Sequence, residues 1–183
     1  MKYFYIHGLN SIGMLTATQL STILGQEVKR LIWHSNLYYH NNLKFMLEQL
    51  KEEKDFVLIG SSLGGFYTME LSNILQVPCV LFNPVIYPRK SFERIKDLEF
   101  YKNIEEVVES YPKEPSNQSL LPRLVVVGRN DEILDINDAL QYWHGKANVI
   151  LTSDKHHIDN FNPFKEDIEK LSIPLFYDVN ECV

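Results

Sequence analysis

The sequence predicts an α/β fold, a mainly parallel central sheet with helices on both faces, and three observations carry that prediction. Apolar runs of strand length alternate with stretches whose apolar residues recur at helical spacing, the pattern of βα units. The run Phe56-Val57-Leu58-Ile59 passes directly into Gly60-Ser61-Ser62-Leu63-Gly64-Gly65 and then into a helical stretch with Leu63, Phe66, Tyr67, Leu71, Ile74 and Leu75 on one face. Several of the other runs also end in polar or glycine-containing loops, which places those loops together at the C-terminal edge of the sheet.

Taken in order, Lys2 to Ile6 reads as the first strand, ending in His7-Gly8-Leu9-Asn10-Ser11. A helix with Leu20, Ile23 and Leu24 on one face follows, and Gly25 stops it. Val28 to Trp33 is a second strand, and Leu43, Leu47 and Leu50 mark a helix that Asn41 or Asn42 is expected to cap. After the central strand and helix, Val77 to Phe82 is a strand entered through Pro78. The rhythm then breaks between Asn83 and Leu121, a stretch with several prolines and the cations Arg89, Lys90, Arg94, Lys96 and Lys102. It contains one well-signalled helix, capped by Asn103, with Ile104, Val107, Val108 and Tyr111 along one face, and residues 84–121 form a candidate small lid. The cations there suit either an anionic leaving group or a solvated surface. Leu124 to Val127 is the most strand-like run; Asp135 caps a helix showing Ile136, Ala139, Leu140 and Trp143; Asn148 to Leu151 is the last strand; and Asn162-Pro163 opens a helix with Phe164, Ile168 and Leu171 inward.

Bulk properties narrow the function. A chain of 183 residues suits one domain. Its formal net charge of -6 argues against general nucleic-acid binding, which needs a basic face. No window has the apolar length of a membrane span, and the N-terminus reads as a strand, so the expected location is the cytoplasm. Cys79 and Cys182 form neither a disulfide framework nor a zinc pattern; Cys79 reads as a small core residue.

The chemistry is expected at the G-x-S-x-G turn. A serine at the tip of a sharp strand-to-helix turn sits in strained backbone, so the residues two before and two after must be small enough to let strand and helix pass closely. Gly60 and Gly64 meet that need around Ser62, the candidate nucleophile. The first amide of the following helix, Leu63, and the amide of Leu9 in the loop after the first strand are the candidate oxyanion donors. His7 is expected to hold that loop through hydrogen bonds. Asp131, at the end of the Leu124 to Val127 strand, is the candidate acid; Glu132 reads as a loop charge and Asp135 as a helix cap. Of the adjacent His156 and His157, one is expected to be the base and the other to face solvent. No metal or organic cofactor is called for, since no carboxylate or cysteine recurs at ligand spacing.

With these pieces assembled, the chain resembles the α/β-hydrolase fold and, more narrowly, the small single-domain bacterial esterases of the YqiA type. Tyr5-Ile6-His7-Gly8-Leu9-Asn10-Ser11, Gly60-Ser61-Ser62-Leu63-Gly64-Gly65-Phe66 and Asp131-Glu132-Ile133-Leu134-Asp135 carry the resemblance. It implies Ser62 as nucleophile, Asp131 as acid and a late histidine as base. The family's hydrophobic residue and phenylalanine after that histidine match Ile158 and Phe161 when the base is His156, with His157 as the alternative; Ser153-Asp154-Lys155 stands where the family has glycines. The expected activity is hydrolysis of a small-molecule ester or thioester, and a monomer or weak homodimer is expected. Acyl transfer by the same triad, or a binding protein that keeps only the scaffold, are the competing readings.

Overall fold

In the computed structural model the described residues are 1–94, 96, 104–116, 121 and 123–171. Six strands, β1 (Lys2–Ile6), β2 (Val28–Leu31), β3 (Phe56–Ser61), β4 (Cys79–Phe82), β5 (Arg123–Gly128) and β6 (Asn148–Thr152), form one sheet in the order β2-β1-β3-β4-β5-β6. Every neighbouring pair is parallel. Period-two alternation sends Tyr3, Tyr5, Val57, Ile59, Val80 and Phe82 to one face, and Phe4, Ile6, Leu58 and Leu81 to the other.

Each face is covered by helices. Helix α1 (Met14–Leu24) and helix α7 (Lys165–Leu171) pack on the first through Leu20, Leu24 and Ile168. On the second lie α2 (Tyr39–Leu50), α3 (Leu63–Leu75), α4 (Pro88–Glu93), α5 (Glu105–Glu109) and α6 (Ile136–Trp143), contributing Met46, Phe66, Phe92, Val108 and Trp143. The chain leaves β1 toward one face and β3 toward the other, so the connections of these two neighbouring strands diverge at their C-terminal ends and open a crevice there.

Helix α3 is the most deeply set, with all residues from Leu63 through Ser72 buried. Its polar members are satisfied: the Thr68 hydroxyl donates to Gly64 O at 2.8 Å, the Ser72 hydroxyl to Val77 O at 2.6 Å, and Glu70 accepts from the Tyr39 hydroxyl and the Ser116 amide, each at 3.0 Å. Its N-terminus lies so close to β1 that a Cβ on Gly64 would stand 2.2 Å from Ile6 O and 2.3 Å from His7 O.

Several expectations shift locally. Strand β2 ends at Leu31, two residues before Trp33, whose indole instead donates to His7 O at 3.0 Å. Strand β4 begins at Cys79, not Val77. Neither Asn41 nor Asn42 caps α2: the N-cap is Tyr38, and Asn42 is fully buried one turn in, bonding the backbone of His34 and Leu37 and the Tyr67 hydroxyl. Tertiary demand for a buried loop clamp outweighs the local capping preference. Ile104, Val107, Val108 and Tyr111 are buried as the spacing required, and the Tyr111 hydroxyl meets that of Tyr67 at 2.8 Å. Asn103, Lys102 and Cys182 lie outside the described residues. Among the described cations of that stretch, Arg89 pairs with Glu109, Lys90 with Asp138 and Lys96 with Glu93, as surface ion pairs.

The seating of α3 on β1 makes Gly64→Ala costly, because backbone rather than a flexible side chain blocks the new methyl. A loss of about 1–3 kcal/mol is expected, read as a lower midpoint in urea unfolding; an unchanged midpoint would refute this account.

Candidate active site

Ser62 is the N-cap of α3 with φ 53° and ψ −125°, a conformation that costs a non-glycine residue about 1–3 kcal/mol and persists only where surroundings over-determine it. Here they do. The Ser62 amide donates to Phe82 O at 3.0 Å, and its carbonyl accepts from Gly65 N at 2.9 Å and Val85 N at 3.0 Å. A Cβ on Gly60 would stand 2.0 Å from Thr68 Oγ1 and 2.6 Å from Gly64 O, so only glycine allows strand and helix to meet at this turn.

His156, on the loop after β6, brings its Nε2 to 3.0 Å from Ser62 Oγ, while its Nδ1 lies 2.9 Å from Asp131 Oδ2 and 3.1 Å from Oδ1. Asp131 follows β5 and its side chain is only 2% exposed. Burial pushes its carboxyl up, but the bond from His156 and the amides of Leu134 and Ile133, donating at 2.9 and 2.8 Å, outweigh that and hold it below the usual value. His157 points away, with 70% of its side chain exposed and Asp159 3.8 Å distant. Asp135 caps α6 by accepting from the Asn137 amide, and Glu132 is an exposed loop residue whose carboxylate accepts from the His156 amide at 3.1 Å.

The loop after β1 closes the other side. A Cβ on Gly8 would lie 3.0 Å from Ser62 Cβ, so the backbone leading to Leu9 passes directly beside Ser62. His7 stacks on Trp33 at 5.2 Å and donates from Nδ1 to Gly8 O at 2.8 Å; burial pushes its imidazole below the ordinary histidine value. Leu9 and Leu63 both wall an apolar cavity of about 240 Å³ that reaches Ser62 and His156. As first residue of α3, Leu63 also carries one of the amides that a helix leaves without an internal acceptor.

Asn83 is the residue that sequence reasoning missed. Buried just after β4 at φ 42°, it donates from Nδ2 to Lys155 O at 2.9 Å and His156 O at 2.8 Å, and accepts at Oδ1 from Gly128 N at 2.7 Å. One amide thus ties the histidine loop to the end of β5. The only local signal was an asparagine ending a strand before proline, which reads as a turn. Among the described residues, no group of three or more His, Cys, Asp or Glu is placed to hold a metal ion, and no helix is long and apolar enough to cross a membrane.

Comparison with known proteins agrees with this architecture. The UPF0227 protein of Serratia proteamaculans is 24% identical over 149 residues, covering 76% of this chain and 81% of the relative. The UPF0227 protein YcfP of Salmonella paratyphi A is 23% identical over 175 residues, covering 90% and 95%. Among solved structures, Est1E from Butyrivibrio proteoclasticus superimposes with a TM-score of 0.69 at 16% identity, covering 93% of this chain and 88% of that one. The monoacylglycerol lipase of Paleococcus ferrophilus gives 0.63 at 14% identity, covering 93% of each. At such identities these likenesses establish the α/β-hydrolase fold. The model of the uncharacterised protein family UPF0227 matches residues 2–172, and the chain belongs to that family.

Proposed function

We propose that the protein is a serine hydrolase that cleaves carboxylic esters or thioesters, of small acyl or acyl-CoA type, through an acyl-enzyme on Ser62. The observation that carries this reading is the continuous relay from Ser62 Oγ through His156 to a buried Asp131, at 3.0 and 2.9 Å, mounted on a strained turn beside an apolar cavity. A scaffold that only bound ligands would have no physical need to hold all three groups in bonding register.

In this mechanism His156 Nε2 accepts the Ser62 proton as Oγ attacks the acyl carbonyl. The oxyanion that forms is bound by the Leu9 and Leu63 amides; in enzymes of this type one such donor is worth about 10²–10³ in rate. His156 then protonates the leaving group, which departs, and next takes a proton from water as that water attacks the acyl-enzyme; the acyl–Oγ bond breaks as His156 returns this proton to Ser62 Oγ, releasing the acid. Asp131 stays ionised, orients the imidazole and stabilises its charged form. The stretch from about 84 to 121 is proposed as a small cover, since it supplies Val85, Ser91 and Phe92 to the apolar cavity. In this reading the chain works as one domain.

Labelling with a fluorophosphonate probe, which needs an activated serine, tests the proposal. Modification is expected at Ser62, lost in Ser62→Ala and His156→Ala but retained in His157→Ala; a folded wild type that resists labelling and turns over no ester would end it. Asn83→Ala releases the histidine loop from β5, so kcat is expected to fall by about 10²-fold with KM little changed, measured on any ester that the wild type cleaves. Because the Asp131 carboxyl sits below its ordinary value in the folded state, its contribution to stability is full above the unfolded-state pKa near 4 and disappears as pH falls through the lower folded value. Acid unfolding of the wild type is therefore expected to be steeper below about pH 4 than that of Asp131→Asn, followed by circular dichroism.

A further inference from the structure

Ser62 and His156 stand between an apolar cavity and a mixed one that carries several hydroxyl-bearing residues. The apolar one, about 240 Å³, is walled by Leu9, Leu63, Val85, Phe92, Ile133 and Leu134. The second, about 160 Å³, is mixed: the hydroxyl-bearing Tyr5, Ser11, Thr16 and Ser61 and the imidazole of His157 line it together with Phe82, Ile158 and Phe161. Leu9, Ser62 and His156 belong to both walls, so a carbonyl held over Ser62 sends one arm into each cavity.

Two hydroxyls of the second cavity are joined. The Tyr5 hydroxyl lies 2.6 Å from Ser61 Oγ, and Thr16 lines the same cavity. Each hydroxyl carries one donor and two acceptor lone pairs. Tyr5 and Ser61, joined by one bond, and Thr16 together therefore keep two hydrogens and several lone pairs for a ligand. Among the described residues, no Lys, Arg, Asp or Glu lines this cavity. A phosphate or carboxylate would lose hydration there with no Lys or Arg to meet it, only the titratable His156 and His157, and a wholly apolar arm would strip water from the hydroxyls without replacing it.

A neutral arm that itself carries hydroxyls satisfies both constraints. We infer that the Tyr5, Thr16 and Ser61 cavity is a subsite for a neutral polyhydroxylated arm of an ester whose other arm is apolar. The inference rests on the hydrolase reading above and specifies its substrate class. Hydrolysis of such a compound yields one apolar and one polyol-type product, with water supplying hydroxyl to the acyl carbon and a proton to the departing alcohol.

Two matched pairs of esters, each differing only by two hydroxyls, test it and show which side of the carbonyl carries the polar arm: glyceryl monohexanoate against propyl hexanoate, and hexyl glycerate against hexyl propanoate. In one pair the hydroxylated member is expected to have a kcat/KM at least about tenfold higher, and Thr16→Val and Tyr5→Phe are each expected to bring that ratio toward one. Thr16 is only partly buried on α1, so its variant decides the matter if Tyr5→Phe fails to fold. Ratios near one in both pairs for a wild type that a fluorophosphonate labels at Ser62, or a ratio unmoved in Thr16→Val, would overturn the subsite and leave the hydrolase reading standing. A folded wild type that is neither labelled nor active on any of the four esters would overturn both.

Discussion

The structure depends on the close approach of three backbones at one point: the end of β1, the end of β3 and the first turn of α3. Ser62 is held at positive φ because strand and helix meet with no room for side chains at Gly60 and Gly64. The strain is local, and its restraint is distributed. Hydrogen bonds to the Phe82 carbonyl and from the Gly65 and Val85 amides fix the Ser62 peptide groups from both sides of the turn, so relaxing the turn would mean breaking β-sheet packing as well. The hydroxyl is thereby aimed out of the sheet while the helix amide stays beside it.

The same crevice explains why groups distant in sequence converge. Each comes from a loop at the C-terminal end of a parallel strand, and the sheet holds those ends in register. A histidine loop that leaves the last, partly exposed strand needs a further tie, and Asn83 provides it across the ends of β4 and β5. The proposed acid and base are thus positioned by backbone and amide bonds as well as by their own hydrogen bond.

Polarity is graded across the site. The apolar cavity draws on leucine, valine, isoleucine and phenylalanine from the β1 loop, α3, the stretch after β4 and the Asp131 loop, whereas the opposite cavity sets hydroxyl-bearing residues of β1, α1 and the end of β3 beside Phe82, Ile158 and Phe161. The stretch that supplies Val85 and Phe92 is fastened to the body by a buried cluster in which Tyr67, Tyr111, Tyr39 and Glu70 pair with one another and with Asn42, Ser110 and Ser116. Satisfied networks of this kind rigidify the wall they belong to.

Much of this was legible in the residues, because the signals were short-range. The spacing of Gly60, Ser62 and Gly64 reports a steric demand within five residues, strand and helix periodicity reports which face is buried, and Asp131 could be placed at a strand end because β5 is an unmistakable apolar run. What depended on distance was not legible. Asn83 acts on residues 72 and 73 positions away, Tyr5 meets Ser61 across 56, and Asn42 abandons a capping role to clamp the backbone of a preceding loop and meet Tyr67. The chain's local chemistry determined the elements, the elbow and the candidate reactive groups. The choice of His156 over His157 as the imidazole facing Ser62, the split into an apolar and a mixed cavity, and the tie through Asn83 were decided by the tertiary structure, because hydrogen-bond partners and cavity walls exist only once the sheet has brought its loops together.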